Sequence, residues 1–410
     1  VNASTVDGHN PYRINERGID WECPEPDNVR SNIGYWGDHQ IVYLLRLLEQ
    51  CQDTLPDALP AMLEQRVFSY ANVPYRIRPF AEIAKNPRGS IRFDDAADAK
   101  IRNLDDVIGG DARLVLDTAD EPALVTLLEK LLVPALAKVS NLVPGGGIWM
   151  NMQRPEWNDA NNALAGFGLS MVTLYQLRRY CDFAADLTAQ LGEGSTHMSP
   201  AVAAWCEAIT DIVSRLNTSA TSTPMSPALR WRAMADLGSA FETACESLYR
   251  EGPSAPVEIN RSRVLEFFRQ ARDLCDDSIR QAKRADGLYQ SYNVLRLEGE
   301  SASVDHLSMM LEGQVAVLAS GVLEPREATA LLDTLFQSEL YREDARSFIL
   351  YPRVDLPGFM DRNIVPGDAV RGCDLLERAL NDRNAGLLVR DEDGNIRFCA
   401  GLNSHDTLAA

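Results

Sequence analysis

The chain has 410 residues, 45% of them hydrophobic, and a formal net charge of -19 from 40 basic and 59 acidic side chains. That is enough for one large domain or two modest ones. The acidic balance argues against a nucleic-acid or anionic-membrane partner, and no run of about 18 apolar residues is present to span a bilayer. The eight cysteines are widely spaced with no CxxC pair. Cys181, Cys206, Cys245 and Cys275 fall within helical patterns, so buried free thiols and a reducing, cytoplasmic compartment are expected rather than a disulfide framework. The sequence sets no oligomeric state.

Residues 1–30 are polar and Pro-rich and read as an extended lead-in. Gly34-Tyr35-Trp36-Gly37-Asp38-His39 then opens the apolar helix that starts at Ile41. Asp38 can cap that helix. Alternatively, Tyr35 and Trp36 form a platform for the apolar face of a pyranose, with Asp38 and His39 bonding its hydroxyls. Shorter helices and loops fill 54–110, where Tyr75, Arg76, Arg78 and Arg88 read as scattered, solvated positions. Thr118-x-x-Glu121 with Pro122 predicts a capped helix over 121–141, kinked at Pro134. The Pro144-Gly145-Gly146-Gly147 turn that follows lacks the Gly-Lys-Ser/Thr of a phosphate loop, which excludes that mode of nucleotide binding.

Arg154-Pro155-Glu156-Trp157-Asn158-Asp159-Ala160-Asn161-Asn162 comes next, and the spacing of Leu164, Phe167, Met171, Leu174 and Leu177 predicts a buried helix over 161–188. Asp159 can be a plain N-cap, a role Asp fills well. A cap has no need of the neighbouring Glu156, Trp157, Asn158 and Asn162, which are the groups a sugar site uses. Like the Tyr35 stretch, this is an aromatic and acidic cluster at the mouth of a buried helix, and one shared pocket explains both. Ser199-Pro200 and Ser226-Pro227 each place a cap before a first-turn proline and start long helices. Residues 261–286 set Val264, Phe267, Phe268, Ala271, Leu274, Cys275 and Ile279 on one face. About nine amphipathic helices follow one another, with one persuasive hairpin over 387–399. Within His306–Leu318, Glu312 and Gln314 interrupt an otherwise apolar helix, so the Glu312 carboxylate needs a partner or a cavity.

The Trp157-Asn158-Asp159 motif, with the buried helix after it and Gly34-Tyr35-Trp36-Gly37-Asp38 before it, resembles the general-acid segment of inverting sugar enzymes built on an (α/α)6 toroid. The likeness is to the cellobiose-phosphorylase-like glycoside hydrolase and phosphorylase superfamily, the six-hairpin glycosidases. Where its phosphorylases usually carry Asp and Gly flanking the motif, this chain has Glu156 and Ala160. The resemblance implies an all-α toroid over 31–385, followed by a hairpin and a truncated segment over 386–410. The chain starts at Val1 without methionine and stops where a helix is beginning, so it reads as a piece of a longer protein. The family implies an oligosaccharide substrate and an inverting mechanism with two carboxyl groups, set roughly 6.5–9.5 Å apart in a hydrolase to admit water. Asp159 is then the acid, Glu312 the base, and Asp38 the substitute base. Tyr35, Trp36, Asp38, His39, Glu156, Trp157, Asn158 and Asn162 bind the sugar. No metal-ligand cluster is evident among the five histidines, and no cofactor is expected beyond inorganic phosphate if the enzyme is a phosphorylase. An inverting hydrolase is the first reading. A phosphorylase and a non-catalytic carbohydrate-binding piece are the alternatives.

Overall fold

Helix α1, Gln40–Thr54, follows its apolar repeat and buries Ile41, Leu45 and Leu48. It belongs to a computed structural model that describes the chain apart from residues 12, 17, 26, 28–33, 36–39, 153–163, 220–224, 354, 356–357, 359–362, 383–385, 400 and 403–410. The chain divides into two units, Val1–Pro352 and Arg353–Ala410.

In the first unit, the helix expected over 121–141 starts six residues late, as α2, Leu127–Ser140. Asp117 is the reason. Its carboxylate accepts from the backbone N–H groups of Ala119 and Glu121, which turns Thr118–Glu121 into a tight loop. Thr126 takes over as the cap, accepting from the Glu129 N–H at 3.1 Å. Every residue of α2 is buried.

The helix expected over 161–188 begins instead at Met171, as α3, Met171–Ala189. The chain leaves the helical path at Gly166 (φ +85°) and runs extended through Gly168–Ser170, where Ser170 caps α3 by accepting from Thr173. Three helices follow the predicted pattern: α4, Pro200–Ser219, α5, Pro227–Glu251, and α6, Arg261–Gln281. Ser226 and Asn260 supply side-chain caps to α5 and α6. Helix α6 lays its apolar face along α3, and Arg178 ties the pair by an ion pair to Asp276 at 2.8 Å. The same guanidinium reaches the Ser320 carbonyl beyond the last turn of α7, Leu311–Ala319.

The all-α toroid does not stand. The structure is 50% helix and 17% strand, a mixed α/β arrangement that contains a curled five-stranded antiparallel sheet. Its strands are β1, Leu142–Val143, β2, Gly147–Trp149, β3, Gly168–Ser170, β4, Tyr292–Leu297, and β5, Ala302–His306, in the order β5-β4-β3-β2-β1. The registers are Leu142↔Ile148, Trp149↔Leu169, Ser170↔Tyr292 and Leu295↔Val304. Gly147 is required where it stands: its φ is +122°, and a Cβ would meet the Ser170 backbone at 2.9 Å. The Gly-rich turn before it is held by hydrogen bonds. Arg230 donates to the carbonyls of Pro144 and Ala302, and Asn293 donates to that of Gly146.

The second unit has its own small core of Val365, Val370, Leu388 and Ile396. Two short helices, α8, Gly367–Arg371, and α9, Asp374–Asn381, accompany a hairpin of β6, Leu388–Arg390, and β7, Ile396–Phe398. The hairpin is where the sequence places it. Asp391 fixes its turn by accepting from the Asn395 N–H and pairing with Arg397 at 2.6 Å.

Candidate functional site

Of the ten residues singled out for sugar chemistry, Tyr35 and Glu312 are described. Trp36, Asp38, His39, Glu156, Trp157, Asn158, Asp159 and Asn162 lie outside the described residues. The anchors of their two stretches are well defined. Strand β2 runs into the Asp159 stretch and β3 follows it, and the pairing continues past both strands as Met150 and Gly166 bond through backbone groups at 2.9 Å. Trp149 closes the neck by donating its indole N–H to the Gly166 carbonyl at 2.9 Å. The Tyr35 N–H donates to the Met152 carbonyl at 3.3 Å, and the Ser90 hydroxyl donates to that of Asn151. The described ends of the two acidic stretches are therefore tied to one another.

Tyr35 is 1% exposed. Its ring stacks on His9 with centroids 4.8 Å apart and meets the Tyr75 ring edge-on at 5.5 Å. Its hydroxyl donates to Asp7 Oδ2 at 2.7 Å. The same oxygen accepts from Tyr249 on the last turn of α5 at 2.7 Å, while Thr5 and His9 occupy Oδ1. Burial works against the Asp7 charge, but His9, Thr5 and Tyr249 outweigh it and hold its pKa below the usual carboxylate range. Burial and the Asp7 charge push the Tyr35 and Tyr249 hydroxyls well above the normal phenol range. Asp7 thus stays ionised and the two phenols stay protonated, which locks the arrangement. Beside it opens a cavity of about 350 Å³ lined by Asp7, Tyr35, Tyr75, Arg76, Asp117 and Tyr249 among others. Its size falls in the range of small-ligand sites. The Arg76 guanidinium sits 4.9 Å over the Tyr249 ring and pairs with Asp94 at 3.4 Å. Sequence reasoning passed over Asp7 and His9, because their partners Tyr35 and Tyr249 lie far along the chain and leave no local signal.

Glu312, in the first turn of α7, is half-buried and accepts from the Tyr292 hydroxyl at 3.1 Å. Tyr292 pairs with Ser170, at the end of β3 from which α3 starts. The Asp159 stretch joins the sheet at the other end of β3. Gln314 is spent on backbone, accepting from the Tyr289 N–H and donating to the carbonyls of Tyr289 and Met310. Among the described residues no three His, Cys, Asp or Glu side chains gather as a metal requires, and no helix is long and apolar enough to cross a membrane.

Residues 356–410, nearly all of the second unit, match the family described as GH149 phosphorylase insertion domain 2. No curated protein sequence matches the chain. At this coarse level the chain is related to glycoside phosphorylases and to carbohydrate metabolism.

Proposed function

We propose that this chain is part of a glycoside phosphorylase, which cleaves an oligosaccharide by transferring a glycosyl group to inorganic phosphate. The observation that carries the reading is the match of residues 356–410 to a phosphorylase insertion domain. The Trp157-Asn158-Asp159 stretch supplies the chemistry. Protonated Asp159 gives its proton to the glycosidic oxygen as the C1–O bond breaks. A phosphate oxygen attacks C1 from the opposite face, leaving a glycosyl phosphate of inverted configuration and a shortened sugar. Phosphate is the nucleophile, so no protein base has to activate water. This removes the need for Glu312 as a base, and its hydrogen bond with Tyr292 fits a supporting role. Trp36, Trp157, Asp38, His39, Glu156, Asn158 and Asn162 are assigned to sugar binding, with Tyr35 anchoring its stretch.

The test is product formation from a panel of oligosaccharides by the full-length protein, with and without phosphate. The expected result is glycosyl phosphate that forms only when phosphate is present. Asp159→Asn should lower the rate by roughly 10²–10⁴-fold, the contribution of a positioned acid, while keeping a competent helix cap. Phosphate-independent release of free sugar would return the reading to a hydrolase. Glycan binding without turnover would make the chain a binding module.

A further inference from the structure

A second recess, separate from the cavity beside Asp7, lies between α5, the turn that precedes the short helix Phe80–Lys85, and the start of α2's exit into β1. Its apolar walls are Phe80, Trp149 and Phe241, and its polar groups include Asn141, Asn151 and Glu242. Phe80 meets Trp149 edge-on, with centroids 6.4 Å apart. The ring can lie this close to α5 because position 238 is glycine, where a Cβ would collide with it. The recess measures about 70 Å³.

Asn151 is 5% exposed, and its Oδ1 accepts no hydrogen bond from the protein. The amide cannot simply be turned over. Its Nδ2 donates to Asn141 Oδ1 at 3.2 Å, and Asn141 is oriented in turn by donating to the Ala137 carbonyl at 2.9 Å. The acceptor is held in place with nothing to accept, and a buried acceptor in that condition is costly. The other polar groups at the site are largely committed: Trp149 donates to Gly166, Ser140 accepts from Trp205, and Glu242 accepts from the Phe80 N–H.

We propose that this recess is a binding subsite for a hydroxymethyl or short polyol group, whose hydroxyl donates to Asn151 Oδ1 while its C–H groups pack on Phe80, Trp149 and Phe241. Anions are disfavoured because Asn151 and Glu242 both offer acceptors. Of the two carboxylates there, Glu242 and Glu246, the first already accepts from the Phe80 N–H, which weakens the case for a cation. Volume sets the ligand size. At roughly 10–15 Å³ for each water-sized position, the space holds about five to seven such positions, too few for a whole pyranose and enough for its exocyclic arm.

Met152 and Met234 both line the recess, so their methyl groups report its occupancy. The experiment is methyl NMR of the full chain with labelled methionine, titrated separately with glycerol, glucose, xylose and propylammonium. Glycerol and glucose should shift Met152 and Met234. Xylose, which lacks the hydroxymethyl arm, should bind about tenfold more weakly, the worth of one hydrogen bond. Asn151→Leu should abolish these shifts. Met234→Phe, which fills the recess from α5 and leaves the Asn141–Asn151 bond alone, should do the same if the first variant fails to fold. Asp159→Asn should keep them, which separates this subsite from the proposed phosphorolysis. Shifts confined to other methionines, shifts that survive Asn151→Leu or Met234→Phe, equal binding of xylose, or tighter binding of propylammonium would each overturn the assignment.

Discussion

Asp7 and Glu129 are both shut away from water, 0% and 1% exposed, and both accept from tyrosine hydroxyls, yet their charges meet opposite fates. Glu129 takes the Tyr70 hydroxyl at 3.0 Å, the Ser199 N–H at 2.8 Å and the Ser199 hydroxyl at 2.7 Å. Burial still wins there and raises its pKa. At Asp7 burial is again the largest effect, but His9, Thr5 and Tyr249 overcome it. The charge next to each carboxylate marks the difference. Lys130 is itself buried, and its ammonium is turned to the Ser4 carbonyl at 3.1 Å and the Tyr70 ring at 3.8 Å. Burial drives the Lys130 pKa well below normal, so the lysine cannot act as a full counter-ion. Asp7 is gripped by donors aimed at both of its oxygens, with His9 foremost among them through both its hydrogen bond and its charge. A buried carboxylate is held ionised when donors and charge point at its oxygens, whereas the Lys130 ammonium is spent on the Ser4 carbonyl.

The largest effect should come from breaking the grip on Asp7. Asp7→Ala strands the hydroxyls of Tyr35 and Tyr249 in the interior and should cost about 3–5 kcal/mol in denaturant unfolding. A loss below about 1 kcal/mol would mean that the cluster is not the clamp described, against the cost expected for buried unpaired groups. At the second cluster, Glu129→Gln combined with Lys130→Met replaces an ill-matched charge pair by neutral groups of similar volume. The double variant should be neutral or more stable by up to about 1–4 kcal/mol. If it instead loses as much as Asp7→Ala, the Glu129–Lys130 pair is a true ion pair and the contrast fails.

Neither cluster was legible in the sequence. Asp7-Gly8-His9 sits in a polar stretch that reads as a lead-in, and Glu129 and Lys130 look like the solvated face of an amphipathic helix until all of α2 proves buried. What could be read was local: the Ser-Pro starts of α4 and α5, with the side-chain cap at Ser226, the one-sided face of α6, and the 388–398 hairpin with its Asp-Gly-Asn turn. The five-stranded sheet was missed because its strands are two to six residues long and their pairing is remote. Ser170 finds Tyr292 more than a hundred residues away, and Gly146, Gly147, Gly166 and Gly168 look like turns in a helical chain. The acid candidate Asp159 was read from its residue types, whereas the neck that holds its stretch, Trp149 to Gly166 and Tyr35 to Met152, depends on contacts that no sequence window contains.

The smallest expected effect is the most discriminating, because the two carboxylates should respond to acid in opposite directions. The folded pKa of Asp7 lies below its unfolded value of 3.8. The stability it contributes is therefore present above that value and is lost as pH falls through the folded pKa. The cost of Asp7→Asn should be greatest near neutrality and shrink in acid. The folded pKa of Glu129 lies above its unfolded value of 4.5. Its ionised form penalises the fold at neutral pH, and lowering the pH toward 4.5 relieves that penalty as the carboxyl takes up a proton. Glu129→Gln has no such proton to gain, so it should be nearly harmless at pH 7 and become relatively more destabilising near pH 5. A tenfold difference in proton affinity between folded and unfolded chains is worth about 1.4 kcal/mol, so the trend is within reach of denaturant midpoints. His9, whose folded pKa burial lowers below 6.5, adds its own loss of stability as pH falls below that value. That loss is shared by wild type and Glu129→Gln, and it cancels in their difference. The Glu129 trend falls above pH 4.5 and the Asp7 trend below pH 3.8, so curves that run parallel for the two variants from pH 7 down through both values would show that the two carboxylates are held alike.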